Sequence, residues 1–198
     1  MVSSTQPDLM AVDWSKIPPP VDDGAADHLT GTKLAGIALP ATDGSRISLS
    51  ELAGRTVVFC YPRTGTPGQI SLVDDWDLIP GARGCTPQSC AFRDLFSELR
   101  AAGAERVYGL STQDTAYQTE LATRLHLPFP VLSDEALAFT KAMRLPALAV
   151  AGLTLIKRMA LILDDGTITQ VFYPVFPPDR NASDVLSWLK QHPRPDRP

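Results

Sequence analysis

The chain has 198 residues, 44% of them hydrophobic, with a formal net charge of −4 and a pI near 5.3. That is enough apolar material for one sizeable core, and a mildly acidic balance excludes the basic footprint that nucleic acid or an anionic membrane demands. The most apolar stretch, Leu153 to Leu163, is split by Lys157-Arg158 and falls short of the roughly 20 apolar residues of a membrane span, so proteins and small molecules are the expected partners. Residues 1–33, with Pro18-Pro19-Pro20 and then Asp22-Asp23-Gly24, read as an extended polar tail. The N-terminus shows neither a basic n-region nor an apolar h-region, and a cytoplasmic location is expected.

The globular part is expected over 34–192, with 193–198 frayed. Asp43-Gly44 marks a turn between short strands at Ile37–Ala41 and Arg46–Leu49. Ser50 is placed to cap a helical turn through Leu52. Arg55–Tyr61 (RTVVFCY) is short, apolar and β-branched, a buried strand that Pro62 ends. After a Gly/Pro-rich stretch to Gly84, the apolar positions Phe92, Leu95, Phe96 and Leu99 have helical spacing, which predicts a helix over Gln88–Ala102. A strand at Arg106–Ser111, a helix at Thr115–Leu125, a strand at Pro130–Leu132 and a helix at Asp134–Met143 follow. Leu155–Leu163 is read as one strand, joined by the Asp164-Asp165-Gly166 turn to Thr167–Tyr173, and Ala182–Gln191 closes the chain as a helix. Strand–helix alternation followed by a hairpin and a helix implies a mixed α/β sandwich.

There are three cysteines, too few for a disulfide scaffold. Cys60 lies inside an apolar strand and reads as core. Cys85 and Cys90 stand in GCTPQSCAFRD at the head of the helix. A helix N-terminus favours the thiolate through its unpaired N–H groups and dipole, and Pro87 suits an early helical position. Residues five apart in an intact helix lie about 8.6 Å apart at Cα, whereas a disulfide needs roughly 7 Å or less. The two thiols therefore bond only if the first turns unwind, which makes them a conformational redox couple. A zinc site is the competing reading, but Cys60, His28, His126 and His192 form no second paired cluster.

At this point the sequence resembles the peroxiredoxins, in particular their bacterioferritin-comigratory-protein or Q-type branch, from about Leu34 to Leu189. GCT-x-x-x-C-x-FRD looks like that branch's peroxidatic and resolving cysteines, on Cys85 and Cys90. YPRTGTPG matches the start of the Pro-x-x-x-Thr-x-x-Cys signature, with Pro62 and Thr66, and KRMALILDDG places the signature arginine on Arg158. LSTQD and LHLPFPVLSD are further family-like stretches. Here residues 69–84 intervene between TPG and Cys85. The motif threonine falls on Thr66 if a looped insertion brings it back, with Thr64 and Thr86 as the other hydroxyls. The insertion carries Ile70, Leu72, Val73, Trp76, Leu78 and Ile79, too apolar for a free loop, and is expected to pack as a flap beside the site with its two ends meeting.

The resemblance implies a thioredoxin-like fold with a mixed central sheet flanked by helices. It implies a thiol peroxidase that needs no metal or organic cofactor, consumes hydrogen peroxide or organic hydroperoxides, and is recycled by thioredoxin or a similar dithiol, as a monomer or homodimer. Arg158 would stabilise the thiolate, Thr66 would hydrogen-bond the peroxide and Pro62 would shield the sulfur. A thiol–disulfide oxidoreductase, which would more naturally carry Cys-x-x-Cys, and a non-enzymatic redox sensor remain as alternatives.

Overall fold

The computed structural model describes residues 12–69 and 71–194. The central sheet has five strands in the order β5 (Val131–Ser133), β4 (Arg106–Ser111), β3 (Arg55–Cys60), β8 (Met159–Asp164) and β9 (Thr167–Phe172). β3 is parallel to β4, and β4 to β5; β8 is antiparallel to both β3 and β9. This is a mixed sheet of the thioredoxin-like kind. Two small hairpins stand apart: β1 (Ala38–Pro40) with β2 (Arg46–Ser48), and β6 (Ala147–Val150) with β7 (Leu153–Ile156). The helices are α1 (Cys85–Asp94), α2 (Phe96–Ala101), α3 (Thr115–Arg124), α4 (Ala138–Met143) and α5 (Asn181–Gln191).

β3 is buried along its whole length, so its period of two feeds two cores. Val58 and Cys60 face one side, with Leu110, Leu161, Phe139 of α4 and Leu29. Val57, Phe59 and Tyr61 face the other, with Phe92 of α1, Leu121 of α3 and Leu189 of α5. Phe59 stacks on Phe92 at a centroid distance of 4.3 Å, and Phe129 meets it edge-on at 5.6 Å. This aromatic group seats α1 on the sheet, and replacing such a ring by Ala costs about 3–5 kcal/mol.

Several boundaries differ from the sequence reading. Residues 12–33 are not a free tail: residues 24–31 form successive turns, Ala26 and Leu29 are buried in the core, and residues 31–34 bond along β9. Two or three apolar side chains suffice to anchor a segment whose composition is polar. At the other end Arg194 pairs with Asp164, Asp165 and Glu105, so the expected fraying at 193–198 does not apply to Arg194; residues 195–198, like 1–11 and Ile70, lie outside the described residues. Ser50 sits inside the short turn Leu49–Glu51, whose N-cap is Ser48 without a side-chain bond. The helix expected over Gln88–Ala102 breaks at Leu95 (φ −97°, ψ 10°) with no glycine or proline to mark it. The helix expected from Asp134 starts at Ala138, because the buried Asp134 carboxylate accepts from the Phe139 and Thr140 N–H groups and Leu137 turns left-handed (φ 58°). Leu155–Leu163 is two strands in different sheets, parted at Lys157-Arg158. The Asp165-Gly166 turn is as expected: both residues have positive φ (50° and 76°), the geometry of a tight hairpin.

Candidate active site

The break at Arg158 is where the site begins. Its side chain, 3% exposed, turns in towards the head of α1 instead of continuing a strand. Nη2 donates to Cys85 Sγ at 3.2 Å and to the carbonyls of Gly81, Ala82 and Arg83 at 3.2, 3.2 and 2.9 Å. Nη1 donates to Gln88 Oε1, and the buried Nε has no hydrogen-bond partner among the described residues. Gln88, fully buried, is held in turn by Asn181, whose Oδ1 accepts from its Nε2 at 2.9 Å. Arg158 joins none of the ion pairs found among the described residues. Its other acceptors are neutral carbonyls and an amide, which leaves the Cys85 sulfur as the contact able to carry a formal negative charge.

Cys85 is the first residue of α1, 3% exposed, with its Sγ 3.5 Å from the Ala82 carbonyl. The first bond of the helix runs from Gln88 N–H to Gly84 C=O, so the Cys85 and Thr86 N–H groups lie ahead of it at the positive end of the dipole. Gly84 makes the entry possible. It is left-handed (φ 101°), and a Cβ there would fall 2.5 Å from Pro178 Cγ and 2.7 Å from Trp14 Cη2. Trp14 reaches this point from the N-terminal segment, donating Nε1–H to Asp179 at 3.0 Å and meeting Phe176 edge-on.

Cys90 lies on the same helix, equally buried, and also has a free thiol. Its surroundings differ: burial pushes its pKa up, with Asp94 adding and Arg93 and Arg124 opposing. Cys60 is enclosed on the opposite face of β3, and burial followed by the Asp134 carboxylate raises it to about 12. Tyr61, behind Cys85, is likewise driven well above the ordinary phenol range, first by burial and then by Cys85. Of the histidines, His28 Nε2 lies on the Met143 carbonyl and His192 stacks on Trp188.

A cavity of about 470 Å³ opens over Cys85, and Thr66, Trp76, Arg83 and Val12 also line it. The two ends of the 69–84 segment thus reach one cavity: Thr66 at its start, Cys85 at its end, and Arg158 gathering the carbonyls of 81–83 between them. Trp76 opens a short helical turn, Trp76–Leu78, and forms part of the wall, while Leu78 is 67% exposed. The Thr66 hydroxyl donates to Tyr117 OH at 3.0 Å. Thr64 is buried and held by Gln113, and Thr86 lines the cavity beside Cys85. Pro62 is buried just beyond β3 and is not among the cavity's lining residues. Gln88, Asn181, Tyr117 and Trp14 were not singled out from the sequence. Gln88 alone had a signal there, standing between the two cysteines; the others reach the site only through the fold.

Comparison with known proteins gives a consistent picture. The redoxin family model matches residues 25–187. A chloroplastic peroxiredoxin Q of Gentiana triflora is 31% identical over 183 residues, covering 89% of this chain and 76% of that protein. A chloroplastic peroxiredoxin Q of Oryza sativa subsp. japonica is 33% identical over 162 residues, and the match covers 81% of this chain but 66% of the rice protein's length. Among solved structures, the peroxidoxin BcpB from Mycobacterium tuberculosis superposes with a TM-score of 0.66 at 27% identity, over 83% of this chain and 99% of that one. A peroxiredoxin Q of Xanthomonas campestris shares the fold, with a TM-score of 0.62 at 23% identity over 89% and 98% of the two chains.

Proposed function

Since the chain belongs to the redoxin family, in its peroxiredoxin Q branch, we propose that it is a thiol peroxidase in which Cys85 reduces hydroperoxides and Cys90 resolves the oxidised sulfur. The observation that carries this reading is the 3.2 Å contact of the buried Arg158 guanidinium with Cys85 Sγ at the head of α1. A cation that joins no ion pair among the described residues and a helix N-terminus both favour the thiolate, the form that attacks.

In the proposed reaction the Cys85 thiolate attacks the terminal oxygen of ROOH. An S–O bond forms, the O–O bond breaks, and the electron pair leaves on RO⁻, which takes up a proton to give ROH. Arg158 and the first-turn N–H groups stabilise the negative charge as it moves to the leaving oxygen. Thr66 holds the peroxide in the cavity, and Pro62 is assigned the shielding of the sulfur from water. Cys85 is left as a sulfenic acid. The Cys90 sulfur then bonds to Cys85 and displaces the hydroxyl oxygen as water. Since both residues occupy one intact helix, this second step requires the first turns of α1 to open. An external dithiol reduces the disulfide by exchange and becomes a disulfide itself. Thioredoxin or a similar protein in a reducing compartment, the cytoplasm being the expected one, suits that role. The enzyme is proposed to work as a monomer or homodimer.

Steady-state peroxide consumption with thioredoxin, its reductase and NADPH tests the proposal. Turnover that saturates with thioredoxin and needs Cys85 is expected. A protein that exchanges disulfides with a dithiol substrate yet leaves peroxide untouched would instead be a thiol–disulfide oxidoreductase.

A further inference from the structure

We propose that Tyr117 is a positioning residue that sets the hydrogen-bond polarity of Thr66, so that the Thr66 oxygen accepts the O–H of the incoming hydroperoxide; this rests on the reading of Cys85 and Thr66 just given. The argument is one of proton counting. Tyr117 OH lies 3.0 Å from the Thr64 carbonyl and 3.0 Å from Thr66 Oγ1. A carbonyl only accepts, and a phenol has one proton. The Tyr117 proton is therefore committed to Thr64, and the bond to Thr66 must use the Thr66 proton. Having given that proton to Tyr117, Thr66 has only lone pairs to offer the cavity it shares with Cys85. An organic hydroperoxide has one O–H, on the terminal oxygen that the thiolate attacks, and hydrogen peroxide has one on each oxygen, so in both the attacked oxygen carries a proton. An acceptor in this place grips that O–H and excludes dialkyl peroxides, which have none.

The surrounding contacts keep the loop in place independently of the phenol oxygen. Thr64 N–H donates to Gln113 Oε1 at 2.9 Å, and Gln113 Nε2 donates to the Thr64 carbonyl at 3.3 Å. The Arg63 guanidinium lies 5.1 Å from the centre of the Tyr117 ring, and phenylalanine preserves that contact. Tyr117→Phe thus removes the hydroxyl and little else. Without it, the Thr66 proton is free to rotate into the cavity and oppose the peroxide O–H.

The test is a single-turnover measurement of Cys85 oxidation against hydrogen peroxide concentration in the full chain, for Tyr117→Phe, Thr66→Val and the double variant. Tyr117→Phe should slow oxidation by about 2- to 12-fold, the range of one net hydrogen bond. It should have no further effect in the Thr66→Val background, while Thr66→Ser, which keeps a hydroxyl, should restore the sensitivity. A wild-type rate in Tyr117→Phe overturns the proposal, as does an additive effect in the double variant, which would mean that Tyr117 acts on the loop at large. An unchanged rate in Thr66→Val removes the Thr66 assignment and the proposal with it, but leaves the peroxidase reading standing. That reading fails only if the wild-type protein does not consume peroxide.

Discussion

The head and the middle of α1 carry the same side chain at the same burial, Cys85 and Cys90, in different surroundings. At the Cys85 end a guanidinium touches the sulfur, the helix dipole is positive and a cavity opens. At Cys90, in the middle of the helix, burial raises the thiol pKa and no guanidinium hydrogen bond to the sulfur is present among the described residues. Burial by itself disfavours the thiolate, as at Cys90 and Cys60. The proposed activation of Cys85 rests on a buried guanidinium that touches the sulfur and joins no ion pair among the described residues.

Exchange of the two sulfurs breaks the comparison most directly. Cys85→Ser should abolish peroxide consumption, whereas Cys90→Ser should retain about one turnover and leave a sulfenic acid that a dimedone-type trap and mass spectrometry detect. A trapped sulfenic acid on Cys90 would reverse the assignment.

Removal of the charge is the next largest change. A hydrogen bond from a charged donor is worth about 1.5–3 kcal/mol, so Arg158→Met should slow Cys85 oxidation about 10- to 150-fold in stopped-flow measurements. Arg158→Lys should recover only part of this, because a point charge cannot serve Cys85, Gln88 and three carbonyls together. Full activity in Arg158→Met would assign the arginine to holding residues 81–83 alone.

Gly84 sharpens the comparison from the backbone side. Gly84→Ala forces a side chain into a left-handed position already filled by Pro178 and Trp14. The strain is about 1–3 kcal/mol, and both the melting temperature and the peroxide rate should fall. A wild-type melting temperature would mean that the Trp14 contact yields freely.

The smallest effect is in alkaline stability. The unfolded chain releases the Cys60 proton near the reference value of 9.0, while the native state holds it to about 12. Above pH 9 the native state therefore binds more protons, and stability falls as pH rises, by about 1.4 kcal/mol per pH unit for one such thiol. Chemical denaturation of the reduced protein from pH 8 to 11 should show a shallower decline in Cys60→Ala than in wild type. Parallel slopes would mean that Cys60 titrates alike in both states.

Local pattern was enough for β3, β4, the Asp165-Gly166 hairpin and the closing helix, because period-two burial and turn chemistry depend on neighbours in sequence. It was also enough to place Cys85 at a helix head, since Gly-Cys-Thr-Pro before an apolar period of 3.6 is a local signal. Composition misled at residues 12–33, where a polar segment is docked by Trp14, Ala26 and Leu29. Periodicity misled at Arg158, where one apolar run is divided between two sheets because a buried cation has to reach its acceptors. The pairing of Arg158 with Cys85 and the meeting of the two ends of 69–84 were expected from the family resemblance and not from local pattern, whereas the contacts of Arg158 with the carbonyls of 81–83 and the hydroxyl chain through Tyr117 were decided by tertiary structure alone. They join residues far apart in the chain, and the hydrogen bonds that fix them depend on distances that no spacing in the sequence encodes.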